Sequence, residues 1–199
     1  MSEAYDLKKI KKKLKNELDE SRYEHTIGVM DTAACLAMRY GADLTQALVA
    51  GLLHDCAKCI PNDKKLKLCR QNDIPVSAVE EKSPFLLHAV LGAYIAREKY
   101  DVKDQEILDA IACHTTGKPD MTLLEKIIFI SDYIEPMRSK AENLPLIRHL
   151  AFEDLDLAVY TTLRDTLAYL EKEKTCLDNQ TTMAYNYYRQ LIEEREKEA

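Results

Sequence analysis

Apolar side chains recur along this chain at spacings of three and four, so nearly every stretch of it reads as one face of a helix. In YDLKKIKKKLKNEL, residues 5–18, Leu7, Ile10, Leu14 and Leu18 make one stripe, and the lysines make a solvated face opposite it. Over residues 21–40 the stripe Tyr23, Ile27, Met30, Ala34, Ala37 and Met38 predicts a second helix closed by Gly41. A third is expected over 45–59, ending before Pro61. A polar helix over 64–71 then gives way to a loop holding Pro75 and Pro84. Further helices are expected over 84–100, where Gly92 permits close approach of a backbone or ligand, and in DQEILDAIACHTTGKP from 104, with His114 at its C-terminal end before Gly117 and Pro119. Another runs from 122 to a stop at Pro136, a long amphipathic one covers 146–174, and a last begins near Thr181. With no repeat and no composition break, residues 1–199 are expected to form a single all-α helical bundle.

Composition narrows the classes. Five glycines and six prolines in 199 residues leave no room for a flexible linker or a turn-rich β architecture. A formal net charge of -6 argues against a general nucleic-acid binder, though it allows a local basic pocket for phosphates. The charged N-terminus is unlike a signal peptide and no run is long enough to span a bilayer, so a cytoplasmic protein without a membrane partner is expected. The six cysteines Cys35, Cys56, Cys59, Cys69, Cys113 and Cys176 read mostly as reduced, small apolar residues. Cys56 and Cys59 form a C-x-x-C, but no second closely spaced pair exists to complete a zinc site.

The chemistry sits where the pattern is least polar. His25, His54, Asp55, His88, His114 and Asp132 each fall inside or at the end of a largely apolar helix, which takes in four of the five histidines. Buried polar groups are costly unless satisfied, and imidazole with carboxylate is the donor set of iron, manganese or zinc. Arg22 stands three residues before His25 and Lys58 four after His54, so helical geometry would put each pair on one face. His149, among charged neighbours, reads as solvated, and the tyrosine run 185–188 suits either adenine stacking or packing of the last helix. Glu135 reads as a group orienting Arg138 or a ligand, or as an exposed helix-end acid.

The order His, His-Asp, His, His, Asp resembles the HD-domain metal-dependent phosphohydrolases. The strings SRYEHTIGVM, GLLHDCAK, LLHAVLGAYIA, IACHTTGKPDMTLLEKIIFISDYIEPMR and TTMAYN resemble more closely the YqeK family, described as symmetrical diadenosine tetraphosphate hydrolases of bacteria. That resemblance implies an HD core over about 20–136, with the 5–18 helix and the helices of about 146–195 packed on it. It implies His25, His54, Asp55 and Asp132 as ligands of a primary divalent metal, usually iron. His88 and His114 would complete a second metal site or contact phosphate, with Asp55 between the two, giving one or two ions per chain.

By the same resemblance the activity is hydrolysis of diadenosine tetraphosphate into two ADP by metal-bound hydroxide, with His54, Asp55 and Lys58 as catalytic residues. Arg22, His25, Lys58, His88, His114, Tyr133, Arg138, Thr181 and Asn186 are the expected substrate contacts. Ser131 departs from the expected alanine before the aspartate, and its hydroxyl is expected to bond back within the helix. Another HD-type nucleotide phosphohydrolase and a non-catalytic nucleotide sensor stay open as alternatives, and the first helix leaves a homodimer open.

Overall fold

The computed structural model describes residues 5–141, 143–173 and 178–198. Among them are eleven α-helices and no strand: α1 (Leu7–Lys15), α2 (Glu20–Tyr40), α3 (Leu44–Leu53), α4 (Asn62–Gln71), α5 (Ala78–Lys82), α6 (His88–Tyr100), α7 (Gln105–Cys113), α8 (Leu123–Ile134), α9 (Leu144–Glu153), α10 (Leu155–Lys172) and α11 (Asn179–Glu198). A 3-10 turn, Pro84–Leu87, leads directly into α6.

Local chemistry sets the boundaries. Asp19, Asp43, Asp104 and Thr122 begin α2, α3, α7 and α8, each side chain accepting a hydrogen bond from an otherwise orphaned amide of the first turn. Gly41 ends α2 in the left-handed conformation at φ 72°, where a Cβ would be strained. Glu135 adopts extended backbone ahead of Pro136 and so closes α8.

Packing then aims the helices. α2 lies along α3 and α8, α3 and α8 both pack on α7, and α6 covers α7. Leu36, Leu52, Leu53, Ile111, Ile127, Ile128 and Ile130 are fully buried where these helices meet. Each such side chain contributes about 1.5–3 kcal/mol, enough together to hold helix ends in register. A smaller cluster of Ala57, Cys69, Leu87 and Leu91 seats α4. Behind α8, α10 packs against it and α11 against α10. Among the described residues no helix is long and apolar enough to cross a membrane.

Three expectations need correction. The helix expected over 45–59 stops at Leu53, and residues 54–59 form successive turns, so Lys58 does not share a helical face with His54. The long helix expected over 146–174 is two: Asp154, extended at φ -141° and accepting from the Leu157 amide, closes α9 and caps α10; Lys174 lies outside the described residues. The stretch read as a loop with Pro75 and Pro84 holds α5, nucleated by a Ser77/Glu80 capping box.

Other readings hold. Gly92 does admit a backbone, since a Cβ there would stand 3.4 Å from the His54 carbonyl. Tyr188 is buried with its hydroxyl accepting from the Met121 amide, and Tyr185 stacks on Tyr160, so the tyrosine run packs the last helix. Cys56, Cys69 and Cys113 are buried thiols, whereas Cys35 and Cys59 are exposed, and Cys176 lies outside the described residues.

Candidate metal centre

Five helices deliver six side chains to one place. His25 comes from the second turn of α2, His54 and His114 from the ends of α3 and α7, His88 from the start of α6, and Asp132 from the last turn of α8. Asp55 follows His54 in the turn beyond α3. All are buried except Asp132, which is partly exposed.

Helix ends also fix the tautomers. The last carbonyls of a helix lack intrahelical partners, and a carbonyl can only accept. His54 Nδ1 therefore donates to the Gly51 carbonyl at 2.7 Å, and His114 Nδ1 to that of Ile111 at 2.7 Å. His88 Nδ1 donates likewise to the Phe85 carbonyl at 2.5 Å. His25 Nδ1 donates to the Glu135 carboxylate at 3.2 Å. With all four protons on Nδ1, each Nε2 presents a lone pair to the cluster.

Those lone pairs face one another. His25 Nε2 stands 3.3 Å from His54 Nε2, 3.0 Å from Asp132 Oδ1 and 3.8 Å from Asp55 Oδ2. His54 Nε2 stands 3.5 Å from Asp55 Oδ2 and 4.0 Å from Asp132 Oδ1. All four atoms are acceptors, so none can hydrogen-bond another. Donors about 2.1 Å from a common centre lie about 3.0–4.2 Å apart, which matches this spacing, so the residues fit a divalent cation. On the far side, Asp55 Oδ1 is buried without a hydrogen bond, 3.2 Å from His88 Nε2 and 3.6 Å from His114 Nε2.

The two sides differ in one respect. Lys58 Nζ lies 3.0 Å from His88 Nε2 and 3.7 Å from Asp55 Oδ1, and the Thr115 hydroxyl lies 3.0 and 3.2 Å from the Nε2 atoms of His88 and His114. Hydrogen-bond donors thus already serve the second group, and Lys58 reaches it from the turn rather than from a helix.

Both carboxylates of the cluster are held ionised against burial. Burial alone would raise the Asp55 carboxyl, but it is held well below the usual carboxylate range, with the Lys58 ammonium among the causes. Burial likewise opposes ionisation of Asp132, whose carboxyl is nevertheless held below its ordinary value. Burial, then the neighbouring His114 and Lys58, push His88 down to about 3.

Partly exposed cations back the carboxylates. Arg22 Nη1 bonds Asp55 Oδ2 at 2.7 Å, and Arg138 Nη2 bonds Asp132 Oδ1 at 2.9 Å. Tyr133 is partly buried beside Asp132. Thr181, inside the first turn of α11 and buried, and Asn186, exposed on α11, make no hydrogen bond to the cluster among the described residues. His149 is solvated and pairs with Glu153. The C-x-x-C thiols diverge, Cys56 to the Gly92 carbonyl and Cys59 to Asp19. Ser131 makes no bond back within its helix, and its Oγ is buried without a hydrogen-bond partner among the described residues.

Two contributors are new, Thr115 and Arg148, and of the readings of Glu135 the one in which it orients a ligand holds. Thr115 was signalled only by its place in HTTG. Glu135 is buried and orients His25, not Arg138. Arg148 of α9 donates to the carbonyls of Ile134, Glu135 and Arg138 at 2.9–3.0 Å and so holds the turn that carries both Glu135 and Arg138.

Glu135 also rests against Gly28, where an added Cβ would meet its Oε2 at 2.7 Å. Gly28→Ala is therefore expected to push this flexible carboxylate off His25 and weaken metal affinity by about 10- to 100-fold, with little loss of helix stability. Titration against a chelator checks this, and unchanged affinity would refute the role given to Glu135.

A helical bundle presenting His and His-Asp from successive helices, closed by a last Asp, defines an HD domain, and the chain belongs to that family, whose pattern matches residues 22–137. It is similar over most of its length to "Bis(5'-nucleosyl)-tetraphosphatase, symmetrical" of Bacillus subtilis, at 40% identity covering 87% of this chain and 92% of that one. The protein of the same name from Halalkalibacterium halodurans is 42% identical, covering 87% and 91%. Its fold matches the crystal structure of a "predicted HD superfamily hydrolase involved in NAD metabolism" from Clostridium acetobutylicum, with a TM-score of 0.90 and 38% identity, covering 94% and 98%.

Proposed function

We propose that this protein hydrolyses diadenosine tetraphosphate symmetrically into two ADP with a divalent ion, iron, held by His25, His54, Asp55 and Asp132. The observation that carries the metal is the set of two imidazole nitrogens and two carboxylate oxygens, all acceptors, converging at 3.0–4.0 Å. Imidazole with carboxylate suits iron. The choice of substrate rests on the similarity to the two tetraphosphatases over nearly their whole length.

When bound, the ion supplies a Lewis acid that activates water and offsets phosphate charge. The protein's own groups do the rest. His54 and Asp55 fix the position of attack, and Asp55 turns its second oxygen toward His88 and His114. Because Lys58 and Thr115 already occupy that side, we assign it to the scissile phosphate and not to a second resident ion: the Lys58 ammonium and Thr115 hydroxyl donate to phosphoryl oxygens as charge develops. Arg22 and Arg138 can swing from their carboxylates to the outer phosphates. ADP leaves as a stabilised anion, so no poised protonated carboxyl is required.

Tyr133, Thr181 and Asn186 are assigned to the nucleotide. A hollow of about 510 Å³ is lined by Thr115 and Thr116 and by Asn179 and Gln180 at the start of α11, next in sequence to Thr181; Tyr133, Thr181 and Asn186 do not themselves line it.

The test is anaerobic loading of chelator-stripped protein with ferrous ion, then chromatography of products from diadenosine tetraphosphate. ADP alone is expected, and only after loading. ATP plus AMP would move the point of attack, and no turnover despite bound metal would overturn the reading.

A further inference from the structure

The substrate just proposed has two identical halves, and two hollows that share no wall residue flank the cluster, one walled by Thr115, whose hydroxyl touches His88 and His114, and the other by His25 itself. One is the 510 Å³ hollow beside Thr115. The other, of about 350 Å³, is walled by Ser21, Arg22, Glu24 and His25 of α2 and by Glu135 and residues 137–140 beyond α8. Both fall within the size range of small-ligand sites. Resting on that reading, we infer that the smaller hollow is a second nucleoside-diphosphate subsite, which holds the half of the dinucleotide that departs.

Its walls have the required chemistry. His25 and Arg138 connect it to the metal centre, so a polyphosphate lying across the cluster enters it directly. Met137 is 69% exposed there, a soft apolar surface at the foot of an otherwise charged wall, suited to the face of a purine. Lys140 is exposed and forms no ion pair among the described residues, which leaves its ammonium for phosphate. The buried carboxylate in this wall, Glu135, is engaged by His25 and the Met137 amide and does not repel an incoming anion as a free group would. Glu24, exposed on α2, offers an acceptor for ribose hydroxyls.

Calorimetry of the metal-loaded protein with ADP is the test, run beside steady-state kinetics on diadenosine tetraphosphate. Wild type is expected to bind two ADP per chain. The double variant Met137→Ser, Lys140→Ala should keep one ADP class unchanged and weaken the other by about tenfold or more, the scale of a lost phosphate contact and base platform. Its KM for the dinucleotide should rise about tenfold with kcat within about twofold, and its melting temperature should hold, since both side chains are exposed. If wild type makes no ADP from the dinucleotide, the hydrolase reading itself fails. If wild type makes ADP but binds one ADP per chain, or the double variant keeps both classes intact, the second subsite is overturned.

Discussion

Asp55→Asn is expected to lower turnover by at least about 10³-fold, the scale seen when one member of a reactive assembly is removed, and to abolish stoichiometric metal. Asp55 serves both sides of the centre, with Oδ2 facing His25 and His54 and Oδ1 facing His88 and His114. The amide replaces one acceptor with a donor aimed at imidazole lone pairs, so it can hydrogen-bond where the carboxylate could only join in holding a cation. Thermal stability of the metal-free protein should accordingly be kept or raised. Single-turnover kinetics, metal analysis and a melting curve separate these effects. Full metal content with activity within tenfold of wild type would contradict the bridging role.

Gly51→Val should unfold the protein more readily than any change at the site. A Cβ at Gly51 would stand 2.9 Å from the Met30 Cα and 3.4 Å from the Ala33 Cβ, where α2 and α3 pack together. The nearest obstacle is backbone, so relief requires the helices to part. Overpacking of this kind costs about 2–3 kcal/mol, a fall in melting midpoint of about 5–10 °C for a chain of this length. The Gly51 carbonyl is also the anchor of His54 Nδ1, so metal affinity should fall with stability. A midpoint within about 1 °C of wild type would show that α2 and α3 do not pack as closely as described.

The ligand set was legible because burying histidine and aspartate in apolar helices needs a reason, and His25, His54, Asp55, His88, His114 and Asp132 do converge. The turn after α3 was not legible, since the apolar run into GLLHDCAK carries no glycine or proline at the true boundary. A long-range result, the seat His54 takes at the cluster, decides that boundary. Lys58 illustrates the consequence: it reaches the centre, though from a turn and not by the i+4 spacing that suggested it. Asp154 went unread as a cap because the apolar stripe continues across it. Glu135 was read as orienting or exposed, and only the fold of 135–138, clamped by Arg148 from α9, decides between the two. Arg148 had no local signal, because its partners are backbone carbonyls ten to fourteen residues away.

The central claim is that the Nε2 atoms of His25 and His54 and the carboxylates of Asp55 and Asp132 surround one metal ion. Crystals of anaerobically prepared, iron-loaded protein, measured on both sides of the iron absorption edge, test it most directly. An anomalous peak about 2.0–2.3 Å from all four donor atoms is the expected result. A peak elsewhere, or none at that position despite stoichiometric iron in the crystals, would contradict the account.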